Sequence, residues 1–512
     1  MFALVDLFAP GYIYENIGLY RLYAYLKKCN INTNVFHIFT NSEESEFDRL
    51  SNELSKYDVV GFSTYHSTVQ CVDMLCRKIK KLNPNCYTVI GSKFVTGLAD
   101  KLIDELDSID AISMGDGEFA LEYIHKMVLE GKIDEIGHHV NIMTKDQRRG
   151  KQAANLDVSL LPWPERNVKI INRMSYATIL TTNKCVGQCA FCITRTNNCD
   201  NHIYFRQADD VVNELNHIYK TTKNRFFFIV DGSFEDPGIL GKQKIMSYVN
   251  ALKNNDIGYS FVAYIKADSF KTKDDVELLK SMRSVGINQL FIGIESGNED
   301  DLKLYNKRAK LEDNYRIINI LNDIDIHPIY GFIFLNPYST PERLAQNYQF
   351  LSKVNNFQMS RYVIHLGVYE NTPIFYQMKD DGLINSMYSY TNVYGYNFVN
   401  KDVEAISKFI KPHFLDNDIY QSEVNFFNFI HYYYSQKVIY PNIIQSYEER
   451  WKSIQEKFYN LHNIYFGKIY QNMDINYAET KYGDYSKSLQ LLYNDVNNLK
   501  MKIMVKVKRE EN

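Results

Sequence analysis

The chain has 512 residues, of which 45% are hydrophobic, 14% aromatic and 23% charged, with a formal net charge of −3. That is the composition of an ordinary globular protein, long enough for roughly three domains of about 150 residues. No apolar run approaches the roughly 20 residues of a membrane span, and the near-neutral charge gives no global electrostatic case for nucleic acid as the partner. The apolar stretch MFALVDLF has no basic segment before it and is interrupted by Asp6, so a first strand is expected there rather than a secretion signal. Eight cysteines, sparse and clustered, fit a reducing, cytoplasmic setting in which thiolates serve metals or catalysis.

Along residues 1–135, apolar runs such as FALVDLF, YDVVGFST and CYTVIGS alternate with amphipathic helical patterns such as IGLYRLYAYLKKC and CVDMLCRKIKKL. This predicts a Rossmann-like, doubly wound α/β sheet of about five strands. Ligands of such sheets sit at the carboxyl ends of strands, here near Ala9 to Gly11, Ser63 to His66, Gly91 to Lys93 and Gly115 to Glu118. Residues 136–175 lose the rhythm and end in LDVSLLPWPERN, whose two prolines break regular structure, so they read as a linker. A second alternation, over 176–375, runs through YATILTTNKC, RFFFIVDGSF, GYSFVAYIKADSF, NQLFIGIESG, HPIYGFIFLNP and RYVIHLGVYENTP. Six parallel strands with helices between them predict a partial (β/α)6 TIM-like barrel with its active groups at the strand ends. Residues 376–512 are helical in pattern and rich in tyrosine, and are expected to cap the barrel mouth and contribute substrate contacts.

The stretch TTNKCVGQCAFCITR, just after the first barrel strand, holds Cys185, Cys189 and Cys192. Zinc sites usually take four ligands, so one reading is a zinc-stabilised, non-catalytic binding protein whose site is completed by Cys199 or His202. The other is a [4Fe-4S] cluster: three thiolates hold three irons, and the fourth iron keeps an open position where a substrate or cofactor binds.

CVGQCAFC is similar to the CxxxCxΦC signature of radical S-adenosylmethionine (radical SAM) enzymes, with Phe191 in the aromatic position. FIGIESG followed by Asn306 and Lys307 resembles the fourth-strand region of those members that carry an N-terminal cobalamin-binding domain. LDVSLLPWPER resembles their linker, and YENIGLYRLYAYLKK the helix after their first strand, so the resemblance spans roughly residues 1–375. It implies that the open iron chelates the amino and carboxylate groups of S-adenosyl-L-methionine, whose cleavage yields a 5′-deoxyadenosyl radical. It further implies that Phe191 lies near the adenine and that the backbone of Asp231, Gly232 and Ser233 meets the methionine amino group. By the same resemblance, Lys266 meets the methionine carboxylate, and Glu295 and Ser296 meet the ribose or ammonium.

Cobalamin is the implied further cofactor. The chain lacks a DxHxxG motif, which argues against a lower-axial histidine, and has GSKFVTG (Gly91 to Gly97) where relatives have GGxH. A Rossmann-like platform without cofactor therefore stays open beside it, and His66 either faces the corrin or packs locally. The implied activity is methylation or rearrangement at an unactivated carbon of a natural-product, small-molecule or peptide substrate, with a reductant such as flavodoxin or ferredoxin. The alternative is a cobalamin-independent maturase that crosslinks, cyclises or epimerises. Cys29, Cys71, Cys76 and Cys86 are not spaced for the second cluster of a tRNA methylthiotransferase.

Overall fold

Two separate sheets organise the computed structural model, which describes residues 1–8, 15–148, 156–171, 176–182, 184–194 and 203–511. The first comprises β1 (Phe2–Phe8), β2 (Thr33–Phe39), β3 (Val59–Ser63), β4 (Tyr87–Gly91), β5 (Ala111–Ser113) and β6 (Ile142–Thr144), in the order β2-β1-β3-β4-β5-β6. Its first five strands are parallel and β6 runs antiparallel on β5. All seven residues of β1 are buried, as befits a strand covered on both faces. One face packs Leu19, Tyr20 and Leu26 of the helix Ile17–Lys28 with Ala120, Leu121 and Ile124 of Glu118–Leu129. The other packs Phe47, Val72, Leu75, Ile79 and Leu102 from three further helices. The strand order reverses between β1 and β3, which opens a crevice at their carboxyl ends.

The sheet has six strands rather than about five, because residues 142–144, inside the span read as linker, supply its antiparallel edge. Three residues are too few to display an alternation.

The second sheet comprises β7 (Ala177–Ile179), β8 (Phe226–Ile229), β9 (Ser260–Lys266), β10 (Ile287–Glu295) and β11 (His327–Phe332), all parallel and in sequential order. Along β8, Phe227 and Ile229 join the core under the helices, whereas Phe226 and Phe228 point into the lumen with Val262, Phe291 and Ile329. The expected sixth strand forms no ladder. After a 3-10 turn, Met359–Tyr362, it meets its neighbour at a single parallel bridge, Leu335 to His365. Its backbone is diverted: Val368 N–H donates to the Val393 carbonyl at 3.0 Å, in the loop that follows.

The C-terminal region is helical, in Lys401–Ile410, Asp418–Ile439, Glu448–Asn472 and Ile475–Glu511. The expected cap over the mouth is corrected here for Asp418–Ile439, which lies against the N-terminal ends of the barrel strands. Asn288 Nδ2 donates to the Tyr434 carbonyl, and Gln289 and His431 pair through Oε1 and Nδ1 at 2.8 Å. This helix is apolar around much of its girth: Phe426 and Phe429 face Trp451, while Phe427 turns to the lumen. Among the described residues, no helix is long and apolar enough to cross a membrane.

Candidate active site

The cysteine loop leaves the carboxyl end of β7 and is tied down on several sides. Asp231, fully buried after β8, accepts the Thr181 and Thr182 N–H groups at 2.7 and 3.0 Å, and Lys244 lies 3.3 Å from its second oxygen. Val186 N–H donates to Asp236 at 3.0 Å, and Ala190 N–H to the Tyr305 carbonyl at 2.8 Å. Asn306 Nδ2 donates to the Gln188 carbonyl at 2.8 Å, and Ile374 N–H to that of Ala190 at 3.1 Å. Cys185, Cys189 and Cys192 form no disulfide and are all half-buried.

Two lysines set the local field. Burial pushes the Cys185 thiol up to about 12, helped by Asp236 and opposed by Lys266. Burial also raises Cys189, and Lys307 opposes it. Burial by itself would discharge these lysines, but Glu235 and Asp236 hold Lys266 cationic and Glu295 does the same for Lys307. Among the described residues, no three His, Cys, Asp or Glu side chains converge on a point as one metal ion requires. An iron–sulfur cluster spreads its thiolates over separate irons, so three soft donors beside two cations fit a [4Fe-4S] cluster.

The remaining sequence candidates fall into two groups. Gly232 is exposed beside the thiols, and a Cβ there would come 2.7 Å from the Cys185 Cβ, so its bare backbone faces the mouth. Glu295 ends β10 with φ 63° and turns its carboxylate to Lys307, 3.5 Å away. Lys266 is neither solvated nor free; it pairs with Asp236 and lies 3.9 Å from Glu235. Phe191 stands edge-on to Tyr305, ring centroids 5.4 Å apart.

The Asp231 carboxylate and the Ser233 hydroxyl are buried and spent internally, the latter on Glu235 at 2.9 Å. Ser296 is fully buried, its hydroxyl 2.8 Å from Asn347 Oδ1 and 3.1 Å from Asp301 Oδ2. Arg206 is held in an acidic pocket by Asp210 and Glu214. Cys199 and His202, offered for a zinc site, lie outside the described residues. Sequence reasoning missed Asp236, Glu235 and Lys244. The run DGSFEDP signals a cluster of acids, but not which one pairs with which lysine.

The first sheet presents its carboxyl edge to the same gap. Asn371 Nδ2 donates to the Gly97 carbonyl, and Lys101 pairs with Glu370 at 2.6 Å. His66 takes the packing role, between Phe94 and Tyr369 at 6.2 and 6.0 Å, and Tyr369 in turn lies in the field of Cys192. Along this edge the buried atoms Asp6 Oδ2, Ser113 Oγ and Glu118 Oε2 have no hydrogen-bond partner among the described residues. The Ala9 to Gly11 strand end lies outside the described residues.

Residues 179–351 match the model of the radical SAM superfamily. The chain is 24% identical over 326 residues to the anaerobic magnesium-protoporphyrin IX monomethyl ester cyclase of Rubrivivax gelatinosus, covering 59% of this chain and 57% of that protein. It is 24% identical over 284 residues to the hopanoid C-3 methylase of Methylococcus capsulatus, covering 52% of this chain and 51% of that protein. The matched region therefore spans little more than half the length of these relatives. Among solved structures, the cobalamin-dependent S-adenosylmethionine radical enzyme OxsB, with aqua-cobalamin and S-adenosylmethionine bound, superposes with a TM-score of 0.71 at 15% identity, over 99% of this chain and 80% of that one. The radical S-adenosylmethionine methyltransferase TsrM from Kitasatospora setae gives 0.61 at 14% identity, over 74% and 76%. At such identities the likeness is one of fold, and it takes in the Rossmann-like sheet, the barrel and the helical C-terminus alike. Residues 179–351, which begin at the last residue of β7 and hold the three thiols, are thus a radical SAM domain, and the Rossmann-like sheet before it shares the fold of OxsB.

Proposed function

We propose that this enzyme methylates or rearranges an unactivated carbon of a small-molecule, natural-product or peptide substrate, with cobalamin held between the two sheets. One observation carries the reading: Tyr369, in the field of Cys192, and its neighbours Glu370 and Asn371 meet His66, Lys101 and Gly97, which brings the thiol loop to the first sheet's carboxyl edge. When bound, the cluster and S-adenosylmethionine supply a 5′-deoxyadenosyl radical, and cobalamin a transferable methyl group or a second redox centre. Cys185, Cys189 and Cys192 hold the cluster, while Lys266 and Lys307 keep positive charge beside their thiolates. The exposed Gly232 backbone, Glu295 and Lys266 orient S-adenosylmethionine, with Phe191 as an aromatic wall. Ser113, Glu118 and Asp6 offer buried polar atoms to the amide groups of a corrin. A low-potential carrier of the flavodoxin or ferredoxin class delivers the electron.

A second reading, a cobalamin-independent maturase, draws support from His66 and Tyr369, whose packed rings occupy part of the gap. Anaerobic reconstitution tests both. About four irons per chain and 5′-deoxyadenosine are expected in wild type, and neither in Cys189→Ala. One zinc per chain overturns the enzyme reading, and retained cleavage by the variant overturns the assignment of Cys189 to the cluster. A corrin absorbance that copurifies supports cobalamin, and its failure to bind on titration leaves the maturase.

A further inference from the structure

Arg361 lies on the 3-10 turn Met359–Tyr362, just before the sixth strand position, and is 7% exposed. Its guanidinium rests 5.9 Å from the centroid of Phe427, one of the rings that fill the lower lumen with Phe226, Val262 and Ile329. Among the described residues no hydrogen bond or ion pair reaches that guanidinium, and its Nε is enclosed without a partner.

The acids nearby are already spent. Glu423 accepts from the Ser360 N–H at 2.9 Å and the Tyr493 hydroxyl at 2.6 Å, and Glu295 faces Lys307. His431 is buried and turned to Gln289. Burial pulls the guanidinium down to about 10, against the pull of Glu423, Tyr420 and Glu295. A buried cation without a counter-ion is costly, and an anion that pairs with it relieves that cost. The planar fork of a guanidinium matches a carboxylate or a phosphate in two parallel bonds. Above it the lumen wall is aromatic, with Tyr264 packed on Phe228 and Phe291 at 5.1 and 5.0 Å, suited to the uncharged remainder of a ligand.

We propose that Arg361 is the docking point for an anionic group, a carboxylate or a phosphate, on the substrate, which enters the lumen with that group leading and its reacting carbon toward the thiol loop. This deepens the proposed function and rests on the barrel being the reaction chamber.

The test uses reconstituted enzyme at constant ionic strength, with inorganic phosphate and acetate as probes. Millimolar phosphate or acetate is expected to raise the melting temperature of wild type by about 2 °C or more, and to leave Arg361→Met unmoved. The larger of the two shifts separates phosphate from carboxylate. Without anions, Arg361→Met should melt no lower than wild type, because it removes an unpaired charge. A lower-melting variant, equal shifts in both proteins, or no shift in wild type overturns the proposal. So does loss of S-adenosylmethionine binding by Arg361→Met in equilibrium dialysis, which would assign the anion to the cofactor. Because anion binding needs no cleavage, failure here is distinct from failure of the radical reading.

Discussion

Lys307 brings its Nζ to 3.5 Å from the Glu295 carboxylate while lying in the field of Cys189. The pair passes over bare backbone, since a Cβ on Gly293 would come 2.8 Å from Glu295 Oε1 and 2.9 Å from Lys307 Nζ. A residue twelve positions beyond the strand thus becomes part of the strand's chemistry.

Lys307→Met should cost about 2–4 kcal/mol in denaturant melts, because it leaves the Glu295 carboxylate largely enclosed and uncompensated. In the reconstituted enzyme it should also make the cluster harder to reduce, since a cation beside a thiolate is gone. A midpoint potential unchanged from wild type in a redox titration would show that the cluster does not feel this lysine.

Gly232→Ala should lower iron retention about tenfold or more while leaving the melting temperature close to wild type. The added methyl would sit 2.7 Å from the Cys185 Cβ, so the cysteine must move, and the cluster is the structure that registers its position. Iron per chain after desalting, alongside a thermal melt, reads the two effects apart.

Asp6 supplies a pH dependence. Burial lifts its carboxyl from 3.8 to about 7, opposed by the hydrogen bond from Asn16 at 2.9 Å. The fold favours the protonated acid, so the group's contribution is full below about pH 4 and is lost as pH rises to about 7. Asp6→Asn keeps an acceptor for Asn16 and removes the penalty. In the apo protein it should be more stable than wild type by about 1–3 kcal/mol at pH 8, with the gap closing toward pH 4.5. A gap independent of pH would discard the assignment to Asp6.

Much of this was legible in sequence because alternation and motif spacing are local signals. The strands from β1 to β11 that exceed four residues, and the loop of Cys185, Cys189 and Cys192, needed no partner to be recognised. What escaped depends on partners distant in sequence. Asp231 and Asp236 look alike in DGSFEDP, yet one binds Thr181 and the other Val186 and Lys266, fifty or thirty residues away. The helix Asp418–Ile439 declared its periodicity but not its destination, since a helix apolar on several sides does not say which side meets the barrel.

That helix has a consequence for traffic. Among the described residues, Tyr434, His431 and Phe427 cover the N-terminal end of the barrel and stop the lumen there. The carboxyl ends of the barrel strands lie toward the first sheet, where Asn371 and Glu370 are latched to Gly97 and Lys101. Under the proposed function, substrate approaches the thiol loop from the side of the first sheet, past that latch.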